Sequence, residues 1–174
     1  MPIGNMRNIE LKARIADIAA ARRTAVSLAT EYVGIERQID TYFHCRNGRL
    51  KLREIEGAPA QLISYSRPDA GGPKPSDYDI VAVDDACRFK RLLEASLGIR
   101  VVVDKRREIF LCGNTRIHLD EVAGLGTFLE FEAVLEPSYN DHAGEVHVDQ
   151  LAKHFGIAAS DLVSGSYCEL SNRA

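Results

Sequence analysis

The chain lacks several features that define whole classes of protein. It has no run of about 18 apolar residues, which argues against a transmembrane helix, and residues 1–7 lack the basic and then apolar build of a signal peptide. The formal net charge is only −3, so bulk charge gives no reason to expect binding to nucleic acid or to a membrane. We therefore expect a cytoplasmic protein with neither partner, in which any anion site arises from local segregation of charge.

The cysteines and histidines lack the spacing of metal sites. None of the four cysteines lies in a Cys-x-x-Cys arrangement, so we expect reduced thiols. None of the five histidines shows the spacing of a zinc site. Internal repeats and low-complexity segments are also absent. The 174 residues therefore predict a single domain.

Two periodicities of apolar residues divide the chain. Helical spacing occurs over residues 15–31, 85–97 and 144–155. The remaining segments alternate as strands do: residues 7–14, 36–45, 49–56, 60–67, 77–84, 100–111, 115–122 and 127–135. Asn47-Gly48 is a strong hairpin signal, and proline and glycine predict a loop over residues 67–76. The short connections favour antiparallel pairing, and eight strands are enough to close a barrel around one small ligand.

Charged residues share one face of the predicted strands, because residues two apart in a strand point the same way. One interpretation is an open antiparallel sheet with one wet face. The charges are, however, sorted by strand, with three basic residues in 49–53 and two acidic residues in 130–132. If these faces line an interior, the basic residues would bind phosphate oxygens. The paired carboxylates would suit Mg²⁺ or Mn²⁺.

Six motifs, in order along the chain, resemble those of one family. They are Asn8-Ile9-Glu10-Leu11-Lys12, residues 38–43, residues 48–53, Lys105-Arg106-Arg107, residues 116–120 followed by 124–132, and Ser166-Tyr167. Together they are similar to the CYTH superfamily, the triphosphate tunnel metalloenzymes, which includes class IV adenylyl cyclases and thiamine triphosphatases. The resemblance extends from Arg7 to about Leu170. It implies an α+β fold, in which an eight-stranded antiparallel β-barrel, or tunnel, has a charged interior and helices packed outside.

The resemblance also implies the residues of a site. Those implied for triphosphate binding are Lys12, Arg49, Lys51, Arg53, Arg67, Lys105, Arg107 and Arg116. Those implied for metal binding are Glu10, Asp120, Glu130 and Glu132. Within these sets, catalytic roles fall to Lys12, Arg53, Lys105 and Asp120. The expected cofactor is Mg²⁺ or Mn²⁺, and because members of the family are often dimers, a homodimer is also an expectation.

One position departs from the family pattern. Asn8 stands where the opening signature has its first glutamate, and its amide oxygen can contact an ion but adds no charge. Metal binding would then be weaker, or limited to one ion.

The leading hypothesis is metal-dependent chemistry on a triphosphate such as ATP, thiamine triphosphate or inorganic triphosphate. The reaction is either hydrolysis or conversion of ATP to cyclic AMP and pyrophosphate, and the motifs do not decide between them. A non-catalytic sensor of nucleotide or polyphosphate is the alternative hypothesis. A structural β-protein with a wet sheet face is the third.

Overall fold

The strands and helices form a closed barrel with helices on its outside. The computed structural model describes residues 6–135 and 140–171, so residues 1–5, 136–139 and 172–174 of the predicted domain lie outside the described residues. The strands are β1 (Met6–Arg14), β2 (Glu31–Phe43), β3 (Arg49–Ile55), β4 (Ala58–Ser66), β5 (Lys74–Val83), β6 (Ile99–Cys112), β7 (Thr115–Val122) and β8 (Gly126–Leu135). The α-helices in the described ranges are α1 (Ile18–Leu28), α2 (Ala86–Leu97), α3 (Asp141–His154) and α4 (Tyr167–Ser171), with a 3-10 turn at Ala159–Asp161.

The strands pair in the order β1-β5-β4-β3-β2-β6-β7-β8, and β8 pairs with β1 to close the barrel. Each neighbouring pair is antiparallel. The predicted α+β barrel with external helices is therefore confirmed, and the open sheet with one wet face is wrong. Among the described residues, the helices are too short and too polar for any of them to cross a membrane.

Several boundaries differ from the prediction, and three of them have a clear physical reason. Helix α1 starts at Ile18 because the side chain of Asp17 accepts a hydrogen bond from the Ala20 N–H and caps the helix. The backbone of Thr30 already donates to Leu111, so β2 starts at Glu31 rather than at residue 36.

Strand β5 starts at Lys74, inside the predicted loop over residues 67–76. Pro75 pairs with Ile9 of β1, whereas the pairing of β5 with β4 reaches only as far as Asp77. Proline is tolerated in a strand where one side has no partner, because its missing N–H then interrupts no ladder.

The main hydrophobic core lies between the barrel and the helices. Ile9 of β1 and Phe131 of β8 are fully buried there against Val148 of α3. Helix α3 approaches so closely that a Cβ atom at Gly144 would lie 2.8 Å from the side chain of Ile9. Because side chains alternate along a strand, the opposite face of each strand points into the barrel. The charged side chains of the strands that line the cavity lie on that inner face.

The other helices cover the remaining wall and bring two residues to the interior. Phe89 and Leu93 of α2 pack on Phe43 and Leu52 of strands β2 and β3. Tyr167, at the start of α4, packs edge-on against Phe128 of β8 with the ring centres 5.0 Å apart. Helix α4 therefore places the Ser166-Tyr167 motif beside the charged lining.

Candidate functional site

The barrel contains a cavity of about 120 Å³. The lining contains the cationic side chains Lys12, Lys51, Arg53, Arg67, Lys105, Arg107 and Arg116. It also contains the anionic side chains Glu10, Asp40, Glu130 and Glu132. Seven cations against four anions leave an excess of three formal positive charges.

Ten of the twelve predicted site residues line this cavity, and two do not. Arg49 borders a separate, smaller recess, where its guanidinium contacts Glu169 at 3.1 Å and Asp69 at 2.5 Å. Asp120 is fully buried and contacts Arg107. Their assigned roles stay predictions, but both side chains are held by protein partners in the described structure.

Asp40 gathers cations from two neighbouring strands. Its carboxylate accepts hydrogen bonds from Lys105 at 2.6 Å, from Arg53 at 2.8 and 2.9 Å, and from Lys51 at 3.1 Å. Burial alone would raise the pKa of Asp40, but these three cations outweigh it and hold the pKa well below its usual range. Asp40 is therefore the counter-ion that fixes the positions of three cationic side chains on the inner face of the barrel.

The pKa values of the two lysines in this cluster are also lowered, which for a lysine disfavours the charged form. Burial lowers the pKa of Lys51 to about 8, with a further contribution from Arg53 and an opposing one from Asp40. Burial also lowers the pKa of Lys105 well below its usual range, against the attraction of Asp40. Because three cationic side chains share the single carboxylate of Asp40, the cluster holds more positive charge than that carboxylate neutralises.

Glu130 is the centre of a second cluster, on strands β1, β6 and β8. It accepts hydrogen bonds from Lys12 at 2.8 Å and from Arg107 at 2.6 Å. Arg107 also donates to both oxygens of Asp120, at 2.7 and 2.6 Å. Burial would raise the pKa of Glu130, but Lys12 and then Arg107 hold it well below its usual range. Asp120 thus orients Arg107 from outside the lining.

Tyr167 connects helix α4 to this second cluster. Its hydroxyl donates to Asp120 at 2.6 Å, and its ring lies 3.7 Å from the ammonium of Lys12. Burial, followed by the nearby carboxylates of Asp120 and Glu130, raises the pKa of Tyr167 well above its usual value. The hydroxyl therefore keeps its proton and remains a donor.

Replacing Tyr167 by phenylalanine is expected to lower the free energy of unfolding by about 1.5–3 kcal/mol, the usual worth of a hydrogen bond to a charged group. The ring and its packing on Phe128 are retained, so the loss reports the hydroxyl. Urea unfolding measures it. Tyr32→Phe, at a ring that is 54% exposed, is the matched control and should change stability little. Equal stability of Tyr167→Phe and wild type would contradict this role.

Carboxylates from adjacent strands meet on one side of the cavity. Glu10 of β1 lies directly opposite Glu132 of β8 in the strand register, and Glu10 is ion-paired with Arg67. Arg116 is 3.6 Å from Glu132, which is longer than the contacts to Asp40 and Glu130. Carboxylate oxygens are the ligands that Mg²⁺ and Mn²⁺ prefer, and oxygens of Glu130 and Glu132 lie within 4.8 Å of each other and of a nitrogen of His118.

The sequence assigned no role to three residues of this region. Asp40 lies in one of the matching motifs, and its alternation with Gln38 and Tyr42 was the signal that it faces inward. His118 shares a face with Arg116 and Asp120, which was also visible in the alternation. Lys74 is 1% exposed and donates to the carbonyl of Ala70, but it lay in the predicted loop, where no pattern indicated a direction.

Burying this many charged side chains inside the barrel costs free energy of folding. Buried ion pairs are often replaceable by apolar residues without loss of stability, because their desolvation offsets their attraction. Side chains with strongly perturbed pKa values in a cleft are candidates for function. The main apolar core lies outside the barrel wall, whereas a cluster of buried charged side chains lines the cavity. The cavity is therefore the candidate functional site.

Comparison with known proteins gives this site a family. The CYTH domain matches residues 6–167. The chain is 26% identical to the adenylate cyclase CyaB of Aeromonas hydrophila, over 94% of this chain and 89% of that protein.

Two solved structures share the fold. The PH1012 protein of Pyrococcus horikoshii OT3 superposes with a TM-score of 0.84 at 24% identity, over 94% of this chain and 98% of that one. The Hippeastrum protein HpAC1, described as having a dominant triphosphatase activity, superposes with a TM-score of 0.63 at 16% identity, over 91% of each chain. The sequence match over nearly the whole chain confirms the resemblance, and the chain belongs to the CYTH domain family.

Proposed function

We propose that the protein is an enzyme that binds an organic triphosphate and a divalent metal ion in the barrel and breaks a phosphoanhydride bond of that substrate. The observation that carries the proposal is the barrel cavity in which seven cationic side chains outnumber four anionic ones. Membership of the CYTH domain family supports it. One relative is named as an adenylate cyclase, and one structural neighbour is described as a triphosphatase.

The cations would grip the phosphate chain from several sides. Arg53 and Arg107 offer planar guanidinium groups that bind phosphate oxygens through two donors each, while Lys51 and Lys105 act as point charges. All four are less than one-sixth exposed, so water screens their attraction little. Fixed positive charge of this kind stabilises the negative charge that develops in phosphoryl transfer.

One wall of the cavity favours an organic group on the substrate. Strands β4 and β5 contribute the neighbouring lining residues Ile63, Tyr65, Tyr78 and Ile80, none of which is charged. Ile63 pairs with Ile80, and Tyr65 pairs with Tyr78, across these two strands. A planar base or ring can pack against tyrosine and isoleucine side chains, whereas inorganic triphosphate would leave this wall without a partner.

Glu130 and Glu132, with Glu10 beside them, would hold the divalent ion. When bound, such an ion neutralises phosphate charge and polarises phosphoryl oxygens. The chain's own contribution is to hold the triphosphate among its cations and to exclude bulk water. Attack by water would give hydrolysis, whereas attack by the ribose 3′-hydroxyl on the α-phosphorus of ATP would give cyclic AMP and pyrophosphate.

The test is product analysis. The purified protein is incubated with ATP, and separately with inorganic triphosphate, in the presence of Mg²⁺ or Mn²⁺, and the products are separated by ion-exchange chromatography. We expect ATP to be turned over faster than inorganic triphosphate because of the uncharged wall. Cyclic AMP with pyrophosphate identifies a cyclase, and nucleoside diphosphate with phosphate identifies a triphosphatase. Binding of ATP and of thiamine triphosphate without turnover would favour the non-catalytic sensor instead.

The affinity for tripolyphosphate should weaken as the pH rises from 7 to 9. Lys51, with a pKa of about 8, is a cation below that pH and neutral above it, and only the cation attracts phosphate. Its protonated fraction falls about tenfold over this range, so the Kd should rise by about the same factor. Calorimetric titration with EDTA present measures this without turnover. Lys51→Arg, which stays charged throughout, should flatten the profile, and a flat profile in the wild type would contradict the assignment.

A further inference from the structure

His118 is a buried side chain with an unused polar atom next to two carboxylates. It lies on β7 directly opposite Glu130 of β8, so the two side chains share the inner face of the barrel. The imidazole is 3% exposed. Its Nδ1 atom has no hydrogen-bond partner among the residues that the structure describes. It is 3.9 Å from an oxygen of Glu130 and 3.9 Å from an oxygen of Glu132.

An unsatisfied buried nitrogen is unusual in a native protein and calls for a physical reason. Such an atom has lost its hydration and gained no partner in exchange, which destabilises the folded protein. A bound metal ion would supply the partner, since the neutral imidazole nitrogen is a common metal ligand. One ligand atom each from His118, Glu130 and Glu132 lies within 4.8 Å of the others, so a single ion could contact all three.

The protein contacts of Glu130 leave room for this ion. One oxygen of Glu130 accepts from Lys12 and the other from Arg107, but each carboxylate oxygen offers more than one lone pair. Glu132 is 3.6 Å from the half-exposed Arg116, which is farther than Glu130 is from Lys12 or Arg107. The two carboxylates and the imidazole therefore form a donor set of one nitrogen and several oxygens.

We propose that His118 is a ligand of the divalent ion, together with Glu130 and Glu132, and that it gives the site a preference for a transition ion such as Mn²⁺ over Mg²⁺. Mg²⁺ favours an all-oxygen shell, whereas imidazole nitrogen is better suited to transition ions. The inference deepens the proposed function and rests on it for the presence of a divalent ion. It concerns the ion alone and is measured without substrate.

Asn8 is consistent with a preference of this site for Mn²⁺ over Mg²⁺. It lines the cavity, and its buried Oδ1 atom has no hydrogen-bond partner within residues 6–135 and 140–171. Relative to the family signature it removes one carboxylate, which lowers the negative charge available to a hard ion such as Mg²⁺. A neutral nitrogen donor at His118 would compensate with a ligand that Mg²⁺ uses poorly and Mn²⁺ uses better.

The test is Mn²⁺ binding to the substrate-free protein, followed by electron paramagnetic resonance. Bound Mn²⁺ in the wild type should show electron spin echo modulation from a directly bonded ¹⁴N nucleus. His118→Gln should abolish that modulation and weaken Mn²⁺ binding by at least about tenfold. Mg²⁺ affinity, measured by competition, should change by less than about threefold. His142→Gln, at an exposed histidine of α3, is the control and should change none of these.

The outcomes separate a ligand from a positioning residue. If His118 only oriented the carboxylates, its loss would weaken Mn²⁺ and Mg²⁺ equally, and the wild type would show no directly bonded nitrogen. Either result overturns the proposal, as does the absence of Mn²⁺ binding. The wild-type spectrum decides even if His118→Gln does not fold. Nitrogen coupling in a protein that turns over no triphosphate would support the metal site and contradict the proposed reaction.

Discussion

Replacing Glu130 by glutamine should lower kcat/KM for the triphosphate substrate by a factor on the order of 10²–10³. The amide is nearly isosteric with the carboxylate but carries no charge, and Glu130 is both a predicted metal ligand and the partner of Lys12 and Arg107. Losing that charge weakens the metal site and takes a carboxylate partner from Lys12 and from Arg107. The measurement is steady-state kinetics with Mn²⁺, for the products found with the wild type.

Glu108→Gln is the matched control for this prediction. Glu108 is also a buried glutamate with an arginine partner, since Arg22 donates to it at 2.7 Å. It lies on β6 next to Arg107 in sequence and therefore faces the outside of the barrel. We expect Glu108→Gln to be less stable than the wild type but to keep its kcat/KM. Equal kinetics for Glu130→Gln and wild type would contradict the assigned role of Glu130.

Replacing Asp40 by asparagine should lower the free energy of unfolding by about 3–5 kcal/mol, the usual cost of breaking a buried ion pair from one side. For a chain of this length the melting temperature should fall by on the order of 10 °C. Asp40 stays ionised in the wild type because its pKa is held well below the usual range, so the full effect is present at pH 7 and would fade only under strongly acidic conditions. Thermal unfolding at neutral pH measures the loss.

Replacing Asp40 by asparagine should also change how much a bound ligand raises the melting temperature. Without Asp40, the cations Lys51, Arg53 and Lys105 lack their shared counter-ion. Tripolyphosphate can take its place, so the ligand should raise the melting temperature of Asp40→Asn more than that of the wild type. Asp104→Asn removes an exposed carboxylate on the outer face of β6 and should resemble the wild type. A smaller ligand effect in Asp40→Asn than in the wild type would contradict the counter-ion role.

Much of the fold followed from two features of the sequence. Alternation within each strand placed Arg49, Lys51 and Arg53 on one face, and the hairpin at Asn47-Gly48 placed β2 beside β3. The hairpin glycine has φ of +65°, where a Cβ atom would lie 2.7 Å from the carbonyl oxygen of Tyr65. These signals are local, so they survive without knowledge of the tertiary structure.

The roles of individual charges could not be predicted because they depend on distant partners. Asp40 is the single anion of its motif, and nothing near it in sequence indicates that Lys105, from another strand, contacts it at 2.6 Å. Arg49 follows the alternation of the basic strand, but Glu169 and Asp69 hold it outside the main cavity. Asp120 matches the motif, yet its oxygens are taken up by Arg107 and Tyr167.

The most direct test of whether the barrel binds a triphosphate and a divalent ion is a crystal structure with tripolyphosphate and Mn²⁺. We expect density for the three phosphates inside the barrel, within hydrogen-bond distance of Arg53 and Lys105. We also expect an ion between Glu130 and Glu132. Phosphate density confined to the outer surface, or an unoccupied barrel at a saturating concentration of ligand, would contradict the proposed function.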